Sequence, residues 1–252
     1  MRHAIITAGT KGLGKKVTEQ FLNQGCTVTA TYRNDDQQAE KLLQENAHLE
    51  GRLHLVQADV THSSDLVKLV QETIERYGRV DYLINNAGPY VFERKKLADY
   101  TTAEWDEMIR GNLDAAFHLF KHVIPYMRDQ QFGRIINYGF QGAGAASGWL
   151  YRSAFAAAKV GLVSLTKTIA FEEAEHGVTS NMICPGSIAG EMKEASISES
   201  KQQPDPATPV GRSGTGEDIA RLIEFLCQED SDMITGAVYE ATGGIDVIHR
   251  YR

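Results

Sequence analysis

The sequence predicts one α/β domain spanning residues 1–252, built on a doubly wound parallel sheet with helices on both faces. Three observations carry this expectation. Seven short apolar runs alternate with longer segments of helical periodicity, the pattern of repeated βαβ units. The connections between runs are too long for hairpins, so neighbouring strands are expected to be parallel, with right-handed crossovers. And 252 residues, 42% of them apolar, suffice for one large core.

In chain order, AIIT at 4–7 is the first strand, followed by the turn AGTKGLG and the helical run KKVTEQFLNQG. TVTATY at 27–32 and LHLVQA at 53–58 are the next strands, and SSDLVKLVQETIERYG is a helix leading to the strand VDYLINN. Thr101 and Glu104 in TTAEW form a capping-box pattern that is expected to start one long helix. GRIINYG and VTSNMIC are strands, Thr215 with Glu217 and Asp218 starts a further helix, and AVYEA closes the sheet. The polar segment 187–214, with Pro204, Pro206 and Pro209, lacks core periodicity and reads as a lid over a substrate.

A net charge of −7 without a basic block argues against nucleic acid or anionic membrane as partner and leaves a small molecule. Uninterrupted apolar stretches fall far short of the ~18 residues of a membrane span, and the N-terminus runs straight into a strand, so a cytoplasmic protein is expected. Cys26, Cys184 and Cys227 are odd in number and lack Cys-x-x-Cys spacing, which favours reduced buried thiols over disulfides or zinc. His118 and His122 have a metal-binding spacing but no recognisable third ligand, so no metal is expected. Phe117, Leu119 and Phe120 read as core or as a subunit interface, to which the final GGIDVIHRYR can contribute.

The turn after the first strand holds Gly9, Thr10, Lys11, Gly12, Leu13 and Gly14 and opens a helix. Glycines there let the backbone approach a pyrophosphate, whose charge the helix N-terminus favours, which makes the fold Rossmann-type. The second strand ends in Tyr32 and Arg33 rather than in an acidic residue. Arg33 with Lys11 suits a 2′-phosphate, pointing to NADP(H).

With TAGTKGLG, ADV at 58–60, NNAG at 85–88, GNLDAAF at 111–117, Lys159 and CPG at 184–186, nearly the whole chain resembles the short-chain dehydrogenase/reductase family, closest in look to 3-oxoacyl-carrier-protein reductases. The resemblance implies a homodimer or homotetramer acting on a small molecule such as an acyl thioester. It gives Asp59 and Val60 to the adenine, Asn86, Ala87 and Gly88 to the cofactor backbone, and Pro185, Gly186 and Ile188 to the nicotinamide side. Lys159 would hold the nicotinamide ribose, and Asn112 a water of the proton relay. Gly190 stands where a threonine often holds the carboxamide.

The same resemblance expects a tyrosine four residues before Lys159 and a serine at the end of GRIINYGF; Phe155 and Phe140 stand there, and a second count to the serine gives Gly142. The two counts imply a two-residue insertion in GFQGAGAASG. Tyr151 lies one helical turn before Phe155 if the helix is continuous, and would be the replacement hydroxyl, in a spacing to Lys159 similar to, though one residue longer than, the Tyr-x6-Lys arrangement of some enoyl-thioester reductases. Tyr138, Ser147 and Ser153 are further hydroxyls in this region. The reading is an NADP(H)-dependent oxidoreductase that transfers hydride to a carbonyl or an activated double bond through an atypical centre of Asn112, Lys159 and Tyr151. An NADP(H)-binding sensor or inactive partner subunit is the alternative.

Overall fold

The computed structural model describes residues 1–49 and 51–248, and each of the seven apolar runs is a strand. The elements are β1 (His3–Ile6), α1 (Gly12–Asn23), β2 (Thr27–Tyr32), α2 (Asp36–Glu45), β3 (Leu53–Gln57), α3 (Ser63–Tyr77), β4 (Tyr82–Asn85), α4 (Thr102–Ile109), α5 (Ala115–Gln130), β5 (Gly133–Tyr138), α6 (Ser153–Glu172), β6 (Val178–Pro185), α7 (Ile197–Lys201), α8 (Gly216–Cys227) and β7 (Val238–Ala241). All ladders are parallel, in the order β3-β2-β1-β4-β5-β6-β7. This is the expected Rossmann-type sheet. The chain winds outward from β1 to β3, returns beside β1 as β4 and winds the other way, and that reversal opens a crevice at the C-terminal strand ends.

Successive strand residues point to opposite faces. Ala4, Ile6, Val28, Ala30, Ile84, Ile136 and Ile183 pack with Val17, Phe21 and Leu22 of α1 and Ile219, Ile223 and Leu226 of α8. Ile5, Leu83 and Ile135 pack on the other side with Leu66 and Leu69 of α3 and Leu119, Val123 and Met127 of α5. Each helix presents the i, i+3, i+4 stripe that such a face requires. Among the residues suggested for an interface, Leu119 belongs to this core, Phe120 packs against it, and Phe117 is exposed. Of GGIDVIHRYR, residues 249–252 lie outside the described residues, while Ile245 and Ile248 are buried within this chain.

Two expectations change. The Thr101–Glu104 capping box forms, but the helix it starts ends at Ile109, and a π-helical turn, Arg110–Asp114, joins it to α5. The Asn112 amide supplies the reason, since it takes the Met108 carbonyl at 3.1 Å and the Pro89 carbonyl at 2.9 Å in competition with the helix ladder. Second, α6 is 20 residues long and apolar enough by length and composition to cross a membrane, contrary to the reading of uninterrupted runs; half of its most apolar window is buried in the fold.

The segment 187–214 folds through polar contacts instead of apolar periodicity. A capping box of Ser196 and Glu199 starts α7, Ser200 Oγ donates to the Ser213 carbonyl at 2.5 Å, and Pro204 bridges to Arg212. Arg212 then forks onto Asp218, the residue that closes the Thr215 capping box at the start of α8. The three cysteines are free and buried.

Candidate active site

Between β1 and α1 the chain turns over the crevice. Ala8 and Gly12 hold left-handed φ values of 50° and 59°, a conformation that favours glycine. Gly9 and Gly14 are needed for close approach: a Cβ on Gly9 would lie 2.8 Å from that of Ala30, and one on Gly14 would overlap the Ala8 carbonyl. Asn86, expected to touch a ligand, is spent on this turn, its amide donating to the Thr7 and Ala8 carbonyls at 3.0 and 3.2 Å. Thr7 Oγ1 accepts from the Asn86 and Ala87 amides, tying the turns after β1 and β4 together. Leu13 packs on the core beneath, and Thr10 is buried at the cleft wall.

From this turn a cleft of about 730 Å³ runs over the ends of β2 and β3, lined by Lys11, Arg33, Asp35, Asp59, Val60, Gly88 and Tyr90 among others. That volume suits a small organic ligand or cofactor. Lys11 is exposed and pairs with Asp35 at 2.7 Å, whereas Arg33 stands 3.9 Å from Asp59. Asp35 also caps α2. Burial pushes the Asp59 carboxyl up, but hydrogen bonds from Thr61 and the Arg33 charge outweigh it and hold Asp59 below the usual range. Glu194, from the 187–214 segment, accepts the Gly12 amide at 2.7 Å at the start of α1.

Deeper in, the turn after β4 meets the π-helical turn. A Cβ on Gly88 would overlap Asn112 Oδ1, and one on Gly111 would overlap the Pro89 ring, so each turn sets a bare glycine against a side chain of the other. Asn112 is buried; its Oδ1 and Asn85 Oδ1 have no partner among the described residues. Both residues, with Lys159, line an internal cavity of about 10 Å³, the room of a single water. Lys159 is 4% exposed, and among the described residues no carboxylate pairs with it. Burial pulls its ammonium down to about 8, and nearby Cys184 acts in the opposite direction without offsetting it.

Above Lys159 the wall is aromatic. Its Nζ lies 5.5 Å from the Phe155 ring centre. Phe155 meets Tyr90 edge-on at 5.0 Å and Phe140 at 6.2 Å, and Phe140 stacks on Trp149 at 5.3 Å. Phe140, 3% exposed, is part of a third core cluster. Tyr151 does not share the face of Phe155: α6 begins at Ser153, and Tyr151 sits in the preceding turn with a left-handed φ of 64°. Helical phase therefore does not relate Tyr151 to Phe155. Ser153 Oγ is buried without a partner, and Tyr138 points into the core shared with α1 and α8. Tyr90 and Arg152 are the residues that sequence reading missed. Arg152 Nε donates to the Tyr90 hydroxyl at 2.6 Å, and nothing in the spacing of 62 residues signals it.

Pro185 ends β6 opposite Ala241, and Gly186 presses against Thr242, where its Cβ would lie 2.7 Å from Cα. Ile188 packs half-buried on the core. All three sit at the same sheet edge, beyond the lining of the wide cleft.

A parallel sheet whose strand order reverses beneath a tight glycine turn, with a cleft at the reversal and an unpaired buried lysine beside it, defines a Rossmann-type enzyme fold of the dinucleotide-binding class. Residues 7–246 match the family model described as Enoyl-(Acyl carrier protein) reductase. The chain is 62% identical over 251 residues to "Putative oxidoreductase YtkK" of Bacillus subtilis (strain 168), covering 99% of this chain and 98% of the relative. It is 31% identical over 244 residues to the 3-oxoacyl-acyl-carrier-protein reductase FabG of Staphylococcus epidermidis, covering 97% and 98%. A solved chain described as "Structure of putative 3-oxoacyl-reductase from bacillus thuringiensis" superposes with a TM-score of 0.94 at 63% identity, covering 99% of this chain and 100% of that one. The chain belongs to the short-chain dehydrogenase/reductase family. Membership implies an oxidoreductase of small-molecule substrates that uses a nicotinamide dinucleotide.

Proposed function

We propose that this protein is an NADP(H)-dependent oxidoreductase whose cleft delivers hydride to an activated double bond conjugated with a carbonyl, as in an enoyl thioester. The observation that carries the reading is the Phe155–Phe140 pair beside Lys159. Phe140 and Phe155 stand where the family resemblance expects serine and tyrosine, so neither hydroxyl that ketone reduction needs at the hydride-accepting carbon is supplied. In a conjugated double bond the charge appears on an oxygen three bonds from that carbon instead of one, and a donor farther from Lys159 can meet it.

The residues of the cleft fit the cofactor, because the turn packed tightly at Gly9 and Gly14 opens a helix beside a cleft of about 730 Å³, where Ala8, Thr10 and Lys11 form the wall. When bound, the nicotinamide supplies the hydride. Gly9, Thr10, Lys11, Gly12, Leu13 and Gly14 hold the pyrophosphate, with Glu194 displaced from the Gly12 amide. Asp59 and Val60 flank the adenine, Ala87 and Gly88 run along the cofactor backbone, and Pro185, Gly186 and Ile188 bound the nicotinamide side. Lys159 holds the nicotinamide ribose, and Asn112 Oδ1 holds a water that feeds protons toward it. A phenol beyond the phenylalanine pair, at Tyr151 or across the turn from it, meets the carbonyl. The segment 187–214 covers the substrate.

Arg33 and Lys11 set the preference for NADPH. Each charge-assisted contact to the 2′-phosphate contributes ~1.5–3 kcal/mol, so NADPH should bind at least about tenfold tighter than NADH. Lys11 must exchange Asp35 for the phosphate, which makes Arg33 the cleaner probe. Titration of both cofactors into wild type and Arg33→Asp tests the preference; equal affinities in wild type would refute it. Cofactor oxidation with enoyl and 3-oxoacyl thioesters tests the chemistry, and NADPH binding without turnover of either would leave a binding-only protein.

A further inference from the structure

We propose that the Tyr90 hydroxyl is the hydrogen-bond donor to the substrate carbonyl, with Arg152 as its positioning residue. This rests on the hydride-transferring cleft proposed above and names the donor which that cleft requires. Tyr90 follows Gly88 by two residues and lines the wide cleft. Its ring stands edge-on to Phe155 at 5.0 Å, and Phe155 in turn faces the Lys159 ammonium at 5.5 Å. Tyr90 is thus one ring farther from Lys159 than position 155, the offset expected for a carbonyl oxygen that lies beyond the carbon receiving hydride.

The hydrogen bonding gives the phenol its direction. Arg152 Nε donates to the Tyr90 oxygen at 2.6 Å, which occupies a lone pair and leaves the O–H to donate. Among the described residues no carbonyl or carboxylate takes that proton. The guanidinium is held on three backbone carbonyls: Nη1 donates to Glu93 at 2.7 Å and to Tyr151 at 2.9 Å, and Nη2 donates to Phe92 at 2.9 Å. It cannot turn away without giving these up. A bond from a cation to the phenol oxygen also polarises the O–H, so the pair acts as one preorganised donor. Tyr151, by contrast, contributes a carbonyl to Arg152, and its hydroxyl has no partner among the described residues.

In the reaction, hydride adds to the β-carbon of the substrate, the C=C pair moves to the Cα–carbonyl bond, and the carbonyl pair moves onto oxygen. Tyr90 stabilises that enolate oxygen by hydrogen bonding and need not lose its proton. A proton from water then adds to Cα as the C=O reforms. One NADPH is oxidised to NADP⁺ and one proton is consumed for each double bond reduced.

The test compares wild type, Tyr90→Phe, Arg152→Lys, Arg152→Gln and Tyr151→Phe. Turnover is measured with NADPH and a crotonyl thioester. Calorimetry reports the affinity of the NADP⁺-loaded protein for the saturated butyryl thioester, which binds the same donor without reaction. Tyr90→Phe should lower kcat by ~10²- to 10³-fold, as removal of one oxyanion donor does. It should weaken butyryl thioester binding by up to about tenfold, the range of one hydrogen bond, and leave NADPH affinity as in wild type. Arg152→Gln should lower kcat in the same direction, with Arg152→Lys recovering part of it because the cation remains. Unchanged kcat and thioester binding in Tyr90→Phe, or a larger fall in Tyr151→Phe, would overturn the assignment while the oxidoreductase reading stands. A wild-type protein that binds NADPH but reduces neither the enoyl nor a 3-oxoacyl thioester would overturn both.

Discussion

Phe140 and Phe155 allow a test in which stability and chemistry move in opposite directions. In Phe155→Tyr the ring remains, its contacts with Tyr90, Trp149 and Phe140 persist, and the stability change should stay below ~1.5 kcal/mol. Phe140→Ser differs, because that ring is 3% exposed and stacked on Trp149 with only 23° between planes. Truncating a buried phenylalanine costs ~3–5 kcal/mol. At ~2–4 °C per kcal/mol for a chain of this size, Tm should fall by roughly 6–20 °C. The chemical effect runs the other way. A hydroxyl at 155, on a ring whose centre lies 5.5 Å from Lys159 Nζ, supplies a proton donor worth ~10²- to 10⁴-fold. One at 140 supplies an oxyanion donor worth ~10²- to 10³-fold. The groups act as a unit, so the double variant should gain far more on 3-oxoacyl thioesters than either single one. NADPH oxidation, thermal unfolding and NADPH titration together decide the matter. A folded, NADPH-binding double variant without gain on any ketone would refute the view that only two hydroxyls separate this cleft from ketone reduction. An unchanged Tm in Phe140→Ser would refute the packing argument.

Lys159→Met should stabilise the ligand-free protein at neutral pH by removing a buried, unpaired charge, while weakening NADPH binding; parallel unfolding and titration experiments would show whether the two effects separate. Because the Lys159 value drops from 10.5 to about 8 on folding, the unfolded chain holds more protons between those values. Stability should therefore rise with pH across that window, by up to ~1.4 kcal/mol per unit, and the methionine variant should lack this rise. His3 acts at the acid end: buried with Thr27 and Thr29 at its two ring nitrogens and stacked on Tyr77, it is lowered by burial from 6.5 to about 3. Its contribution is complete above pH 6.5 and is lost as pH falls toward 3. Urea unfolding from pH 6.5 to about 5, above most carboxylate titration, should show a shallower loss in His3→Gln, and identical slopes would exclude the histidine.

Every strand was legible, because a parallel strand buried on both faces, like Ala4, Ile5 and Ile6, reads as a short continuous apolar run, and the crossovers show in the length between runs. The capping boxes at Thr101 and Thr215 were legible because their partners are three residues away. The site was legible only where one residue type meets one backbone demand, as at Gly14 and Gly88. The π-helical turn escaped because its cause, the Pro89 carbonyl taken by Asn112, is 23 residues distant. Tyr151 was misplaced for a related reason: periodicity carries a helix backwards through YRS, whereas the left-handed turn that starts it leaves no mark on side-chain type. The Tyr90–Arg152 and Gly12–Glu194 contacts join segments 62 and 182 residues apart, and no spacing rule connects them.

The burial of Phe140 gives the cleft a direction of change. Substitution at 155 alters a ring edge and can be explored one step at a time, since each intermediate keeps its packing. Substitution at 140 removes a member of the core, so a path that begins there passes through weakened intermediates unless smaller members of the same cluster, such as Ala143 or Ala156, enlarge first. Order therefore decides when the barrier is met: a lineage or a selection experiment that acquires a hydroxyl at 155 first keeps its stability until 140 is touched, while the reverse order meets the barrier at its first step.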